Sequence, residues 1–280
     1  MFAIHSTVAY MVYMLRFKNS SEKNMEGSCT IFCFQLNHHL ENIMLKYAIA
    51  MTLFLGPLAL VGGHPPMPPF IDFSVPEFQI GYSDHRFSPE IGPLQPFNCA
   101  PELGPFFLYL REEYNVRTVV ETGTFKGSTT LFFGSFFDKV YTIEVQPDFF
   151  LESQETLRPF GNVQCHLGNS PTILRHILPP LREERILFYL DAHWYANCPL
   201  LAELKTIQKT HRNNCIIVID DFKVPGRPDI PYDSYNGDDF SFEYIRKHLD
   251  KLFDKYTFHY IIPKNVQSRA KLVVIPKKWS

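Results

Sequence analysis

The feature that most constrains this chain is a glycine turn between two apolar runs: Glu121-Thr122-Gly123-Thr124-Phe125-Lys126-Gly127-Ser128, with an acid, Glu144, 23 residues beyond Glu121. Before the turn, Arg117 to Val120 reads as a buried strand. After it, Ser128 to Phe137 suits a helix, and Lys139 to Ile143 reads as a second strand ending at Glu144. Strand, glycine turn, helix, strand and acid, in that order, make the layout of a nucleoside-binding half-site on a parallel sheet. Gly123 and Gly127 let the backbone turn and approach a ligand without a Cβ in the way. A carboxylate about 20 residues on, at the tip of the second strand, can accept both ribose hydroxyls.

The turn argues against a pyrophosphate. A dinucleotide site wants G-x-G-x-x-G so that phosphates meet bare backbone at the helix start. Here the spacing is E-x-G-x-x-x-G, Thr124 and Phe125 crowd the phosphate position, and Glu121 would repel an anion and attract an ammonium. A cofactor with one ribose and an amino-acid tail fits better. The segment resembles motif I of class I S-adenosylmethionine-dependent methyltransferases, and Glu144 resembles their ribose-binding acid. The resemblance covers about residues 101–276. It implies cofactor contacts at Glu121, Gly123, Thr124, Gly127, Ser128 and Glu144, then at Asn169, Ser170 and Asp191 after later strands.

The remaining chain keeps alternating. Val163–Leu167, Arg185–Leu190 and Cys215–Ile219 read as short strands, separated by helical patterns over Ser170–Ile177 and Pro199–Lys209. A further helix is expected over Phe240–Phe253, and then two strands, Tyr256–Ile262 and Lys271–Ile275. Short apolar strands alternating with helices indicate a doubly wound, mostly parallel α/β sheet. The last two strands are too close in sequence for a parallel crossover, so they should pair antiparallel. The resemblance implies seven strands, in a Rossmann-like methyltransferase sheet with an antiparallel final hairpin.

Ligands of such sheets bind beyond the carboxyl ends of the strands. Glu121, Glu144, Asn169, Asp191, Asp220 and Asp221 all fall there, although Asn169 or Ser170 also suits a plain helix cap. Adjacent strands lie about 4.8 Å apart, so Asp191, Asp220 and Asp221 can converge. Converging carboxylates call for a cation, and magnesium, with its oxygen ligands, is the natural one. Phe188 to Trp194, with Val218 to Phe222, resembles the metal-dependent small-molecule O-methyltransferases of catechol and macrolide type. Two departures stand out: Ala192 is an extra residue before His193-Trp194, and Tyr195 stands where a lysine base would be expected. His193 is then the expected base, its ordinary pKa lying near neutrality, with Tyr195 and Lys223 as the other candidates and a packing histidine as the alternative. The long segment from Lys223 to Asp239 is expected to wall the acceptor site, with Tyr232, Tyr235 and Phe240 as contacts.

The expected activity is methyl transfer to a small-molecule hydroxyl, with magnesium assisting. Two alternatives stay open: a nicotinamide-dependent oxidoreductase on the same sheet, and a non-catalytic binding module on a degenerate methyltransferase fold. With 27 basic and 29 acidic residues and no basic run, nothing suggests nucleic acid. Cys29 and Cys33 lack a second pair at zinc-finger spacing. Residues 1–43 show no periodicity and are expected to be an extension outside the fold, with Met1 and Met44 both possible starts. Residues 44–63 read as a signal peptide or membrane anchor. Residues 64–100 read as a proline-rich linker or strap, and 101–280 as the methyltransferase domain. An exporting segment would place the domain away from the cytosol, where the cofactor is made, so membrane association and location stay open.

Overall fold

A computed structural model of the protein describes residues 69–73, 95–192 and 198–279. They belong to one compact unit, Pro66–Ser280. The expected extension (1–43), the expected signal or anchor (44–63) and the expected base His193 lie outside the described residues. Among the described residues, no helix is long and apolar enough to cross a membrane.

The sheet begins with a short strand, β1 (Phe70–Asp72). Helix α1 (Gly104–Glu113) leads into β2 (Thr118–Thr122), and α2 (Ser128–Phe136) into β3 (Lys139–Glu144). Then come α3 (Pro147–Leu157), β4 (Val163–Leu167), α4 (Ser170–Ile177) and β5 (Ile186–Leu190). They are followed by α5 (Leu200–His211), β6 (Cys215–Ile219) and a small hairpin, β7 (Ser234–Tyr235) with β8 (Asp238–Asp239). The chain closes with α6 (Phe242–Leu252), β9 (Tyr256–Ile262) and β10 (Lys271–Pro276).

The main sheet runs β1-β9-β10-β6-β5-β2-β3-β4. All pairings are parallel except the two made by β10, with β9 and with β6. The expected antiparallel final pair is therefore present. The expected count of seven is exceeded by one, because β1 adds an edge strand beside β9, with Ile71 opposite Ile261.

Central strands are apolar along their whole length because both faces are covered. Every residue of β5 (ILFYL) and β6 (CIIVI) is buried. Side chains alternate between faces along a strand. Ile186, Phe188 and Leu190 join one core with Leu204 and Ile207 of α5 and Ile245 and Leu249 of α6. Leu187 and Tyr189 join the other, with Phe107 of α1 and Phe132 and Phe133 of α2. The second core is strongly aromatic: Phe97 stacks on Phe107 at 4.5 Å between ring centroids and meets Phe132 edge-on at 5.0 Å.

The described parts of the 64–100 stretch are built into this second core. Ile71, Phe73, Phe97 and Ala100 are all buried there. The strand is tied at both ends, Tyr260 N donating to Pro69 O (2.9 Å) and Phe73 N to Ile262 O (2.8 Å). Phe97, Asn98 and Cys99 form a turn with φ of 58°, 56° and 64°, the left-handed region that L-residues avoid. It is held by Phe97 N donating to Thr129 Oγ1 (2.9 Å) and by burial of the Phe97 ring.

Candidate functional site

Chain order reverses at the junction of β2 and β5. A crevice opens there beyond the carboxyl ends of the parallel strands, where such sheets take their ligands. A cleft of about 920 Å³ occupies it, bordered by Gly123, Glu144, Asn169, Ser170 and Asp191 among others.

Gly123 sits where β2 ends, at φ +85°, and a Cβ built there would lie 2.3 Å from the carbonyl oxygen of Asp191. No other residue type fits without moving the end of β5. Gly127, at φ +86°, caps α2 against Leu157. Between the two glycines, Phe125 takes φ 48° and turns its N–H toward the tip of β3. That N–H donates to Glu144 Oε2, and Gln146 N donates to Glu144 Oε1, both at 2.8 Å. The carboxylate is thus aimed by two backbone amides at the cleft, with each oxygen keeping capacity for a second donor. Phe125 and Phe149 meet edge-on at 4.5 Å beside it and form an apolar wall.

The rest of the turn serves from behind. Glu121 is buried and receives Thr142 Oγ1 at 2.6 Å and the Thr130 hydroxyl. Burial pushes its carboxyl up to about 7, against the pull of those two hydroxyls. Thr124 shares a hydrogen bond with Thr142 at 2.5 Å. Glu121, Thr124, Gly127 and Ser128 therefore shape the turn, whereas Gly123, Glu144, Asn169, Ser170 and Asp191 border the cleft itself. The Ser170 hydroxyl donates to the buried Glu203 of α5.

Asp220 and Asp221 share the Asn98 amide, and Asp191 and Asp221 both border the cleft. Burial first, then the charges of Asp220 and Asp221, raise the Asp191 carboxyl well above the usual range. Asp220 and Asp221 are held by groups of the protein itself. Asp220 Oδ1 lies 2.7 Å from Lys271 Nζ, and both side chains are buried. It also accepts from Asp221 N at 2.7 Å, while Asp220 Oδ2 accepts from Tyr189 OH at 2.5 Å. Arg269 binds both Asp221 and Asp233 through Nη1. Among the described residues, no group of three or more histidine, cysteine, aspartate or glutamate side chains is arranged to hold a metal ion. As the donors stand, the expected trio Asp191, Asp220 and Asp221 does not fit magnesium, because Asp220 is already saturated.

The long segment after β6 is pinned rather than loose. Lys223 Nζ meets Asp239 at 2.6 Å and lies over the Tyr232 ring at 4.9 Å. Tyr235 borders the cleft as expected, but Phe240 is buried in the core and cannot contact an acceptor from there. Asn98, Asp233, Gln267 and Arg269 border the cleft without having been expected. Four of its residues, Asn98, Phe125, Asp221 and Arg269, hold positive φ without being glycine. Such strain persists where surrounding structure over-determines it, and it concentrates at binding sites.

Leaving aside the edge strand β1, the seven strands lie in the order third, second, first, fourth, fifth, seventh, sixth, with the seventh antiparallel. The sheet is Rossmann-like and mostly parallel, with the antiparallel final pair that the methyltransferase resemblance implies. No protein-family model matches the chain, and no curated protein matches it in sequence. Among solved structures it is similar to the O-methyltransferase TomG from Streptomyces achromogenes, solved in complex with SAM. Identity there is 17% and the TM-score 0.47, over 63% of this chain and 80% of that one. An O-methyltransferase from Bacillus cereus in complex with SAH matches at 16% identity and a TM-score of 0.48, over 66% of this chain and 84% of that one. The SAH-bound methyltransferase PaMTH1 from Podospora anserina matches at 16% and 0.41, over 63% and 78%.

Proposed function

We propose that this chain is an S-adenosylmethionine-dependent methyltransferase acting on a hydroxyl of a small molecule. The observation that carries the reading is Glu144. Its carboxylate stands at the tip of the second strand of the half-site, fixed by Phe125 N and Gln146 N, with the cleft in front of it. That arrangement suits a ribose diol. Gly123 gives the close backbone approach that a nucleoside with a short tail requires, and Phe125 and Phe149 offer an apolar wall for a base. The absence of a second bare-backbone position beside Gly123 disfavours a pyrophosphate, and hence a nicotinamide dinucleotide.

When bound, the cofactor supplies an electrophilic methyl group on a sulfonium. The chain's own part is positioning: cofactor on one side of the cleft, acceptor on the side of Tyr235 and Arg269. The oxygen acceptor rests on the resemblance of Phe188–Trp194 and Val218–Phe222 to O-methyltransferases. His193, two residues beyond Asp191 in the chain, is the base of this reading: it would take the acceptor's hydroxyl proton while the methyl group passed to that oxygen and its bond to sulfur broke, leaving a neutral thioether. Magnesium is given no step, because Asp220 has no oxygen position left for it.

Calorimetry tests the cofactor. S-adenosylhomocysteine should bind and NAD should not. Glu144→Ala should weaken that binding by about 1.5–3 kcal/mol, the scale of hydrogen bonds to a charged group. Equal affinity in a folded Glu144→Ala protein would remove the ribose role, and tighter binding of NAD would replace the reading altogether.

A further inference from the structure

Strand β10 is the one antiparallel member of the main sheet, so its first residues arrive at the edge where the parallel strands end. Leu272 pairs with Ile219, which sets Lys271 beside Asp220. Lys271 has no exposed surface, and its ammonium has an acceptor for each proton: Asp220 Oδ1 at 2.7 Å, Ser268 O at 3.0 Å and Arg269 O at 3.2 Å. The carboxylate is equally committed. Its four acceptor positions receive Lys271 Nζ, Asp221 N, Tyr189 OH and, at 3.4 Å, Asn98 Nδ2. Two residues earlier in the chain, Arg269 closes onto Asp221 and Asp233 and borders the cleft.

We infer that Lys271 and Arg269 are the resident cations of this site, standing where the acidic trio would otherwise hold a divalent metal, so that the protein works without one. A metal ion reaching Asp220 would have to expel the ammonium and leave it buried without its counter-charge, which strongly disfavours the exchange. Lys271 is a positioning residue: it fixes Asp220, which in turn orders Asp221 N and the Tyr189 hydroxyl under the cleft. Of these two cations Arg269 is the one that borders the cleft, placed to meet an acceptor oxygen. The role given to Arg269 rests on the methyltransferase reading, whereas the ion pair of Lys271 does not.

The test uses the whole 280-residue chain and reads metal directly. Wild type should show no change in melting temperature with millimolar magnesium, manganese or a chelator, and no bound-manganese signal by electron paramagnetic resonance. Lys271→Met should melt roughly 6–20 °C lower, as expected when one partner of a buried pair is lost. It should also gain a manganese signal and recover part of the loss in manganese, and adding Asp220→Asn should abolish both. Manganese bound by wild type and released by Asp220→Asn would overturn the inference, as would a folded Lys271→Met that takes up no metal. If Lys271→Met does not fold, the wild-type titration decides alone. S-adenosylhomocysteine binding, measured on the same samples, reports separately on the cofactor reading.

Discussion

Glu121 shows how a residue singled out by its motif can act from one layer behind the ligand. It is fully buried, and burial holds its carboxyl at about 7 against an ordinary 4.5. The native protein therefore keeps this proton through a range in which the unfolded chain has lost it. Stability from that proton is complete below about pH 4.5 and is lost as the pH rises through about 7. Glu121→Gln cannot ionise and keeps an oxygen for Thr130 and Thr142. Relative to wild type it should gain about 3 kcal/mol between those two pH values, at about 1.4 kcal/mol per unit. Melting curves of both proteins across that range check this, and parallel curves would refute it. Glu144, Asp191 and Asp220 were legible because each ends an apolar run at a strand tip, whereas Asp233, which borders the cleft from the segment after β6, was not. Lys271 and Arg269 were not, because their role depends on which strand β10 lies beside. A lysine opening the run Leu272-Val273-Val274-Ile275 was the available hint, since lysine is almost never fully buried unless paired.

Elements were legible where the pattern was long and repeated, and illegible where tertiary packing overrides local preference. The strands from β2 to β6, and the antiparallel pairing of β9 with β10, follow from apolar runs and loop length. Helix α3 was missed, although Pro147 at its first position and Asp148 in its first turn mark a helix start. The left-handed turn at Phe97–Cys99 has only Asn98 as a local signal, since it is held by contacts distant in sequence: the Phe97 ring buried among Phe107, Phe132 and Phe133, and Phe97 N bonded to Thr129. Strand β1 is three residues long and follows Pro68 and Pro69, a composition that reads as linker but also suits an edge strand. Its contribution is measurable. Ile71 is 1% exposed and packs in the aromatic core. Ile71→Ala should lower stability by about 2–5 kcal/mol, the cost of truncating a buried branched side chain. A shift in the urea midpoint reports it, and an unchanged midpoint would mean that β1 is not part of the folded domain in solution.

At the scale of the whole molecule, the methyltransferase layout alone would suggest a domain starting near Pro101, whereas the packing puts the start earlier. A chain beginning at Pro101 lacks Ile71, Phe73, Phe97 and Ala100, four residues of one core. It also lacks the partner of β9, so the backbone groups that Pro69 and Phe73 now occupy would face solvent along an open strand edge. Open apolar edges recruit other chains. Asn98 goes too, and with it the amide that bridges Asp220 and Asp221 at the floor of the cleft. A chain beginning at His64 keeps all of these. The His64 chain should therefore stay free of aggregates and bind S-adenosylhomocysteine, whereas the Pro101 chain should aggregate or bind it more weakly. Light scattering and calorimetry on the two proteins, purified in parallel, decide between the boundaries. If the Pro101 chain proves free of aggregates, with the same melting temperature and the same affinity, the 64–100 segment is a linker after all. The sheet would then have to close its β9 edge without help, and the aromatic core would have to tolerate the hole left by Phe97. Burial of that ring at 0% exposure makes this the outcome the packing opposes most directly.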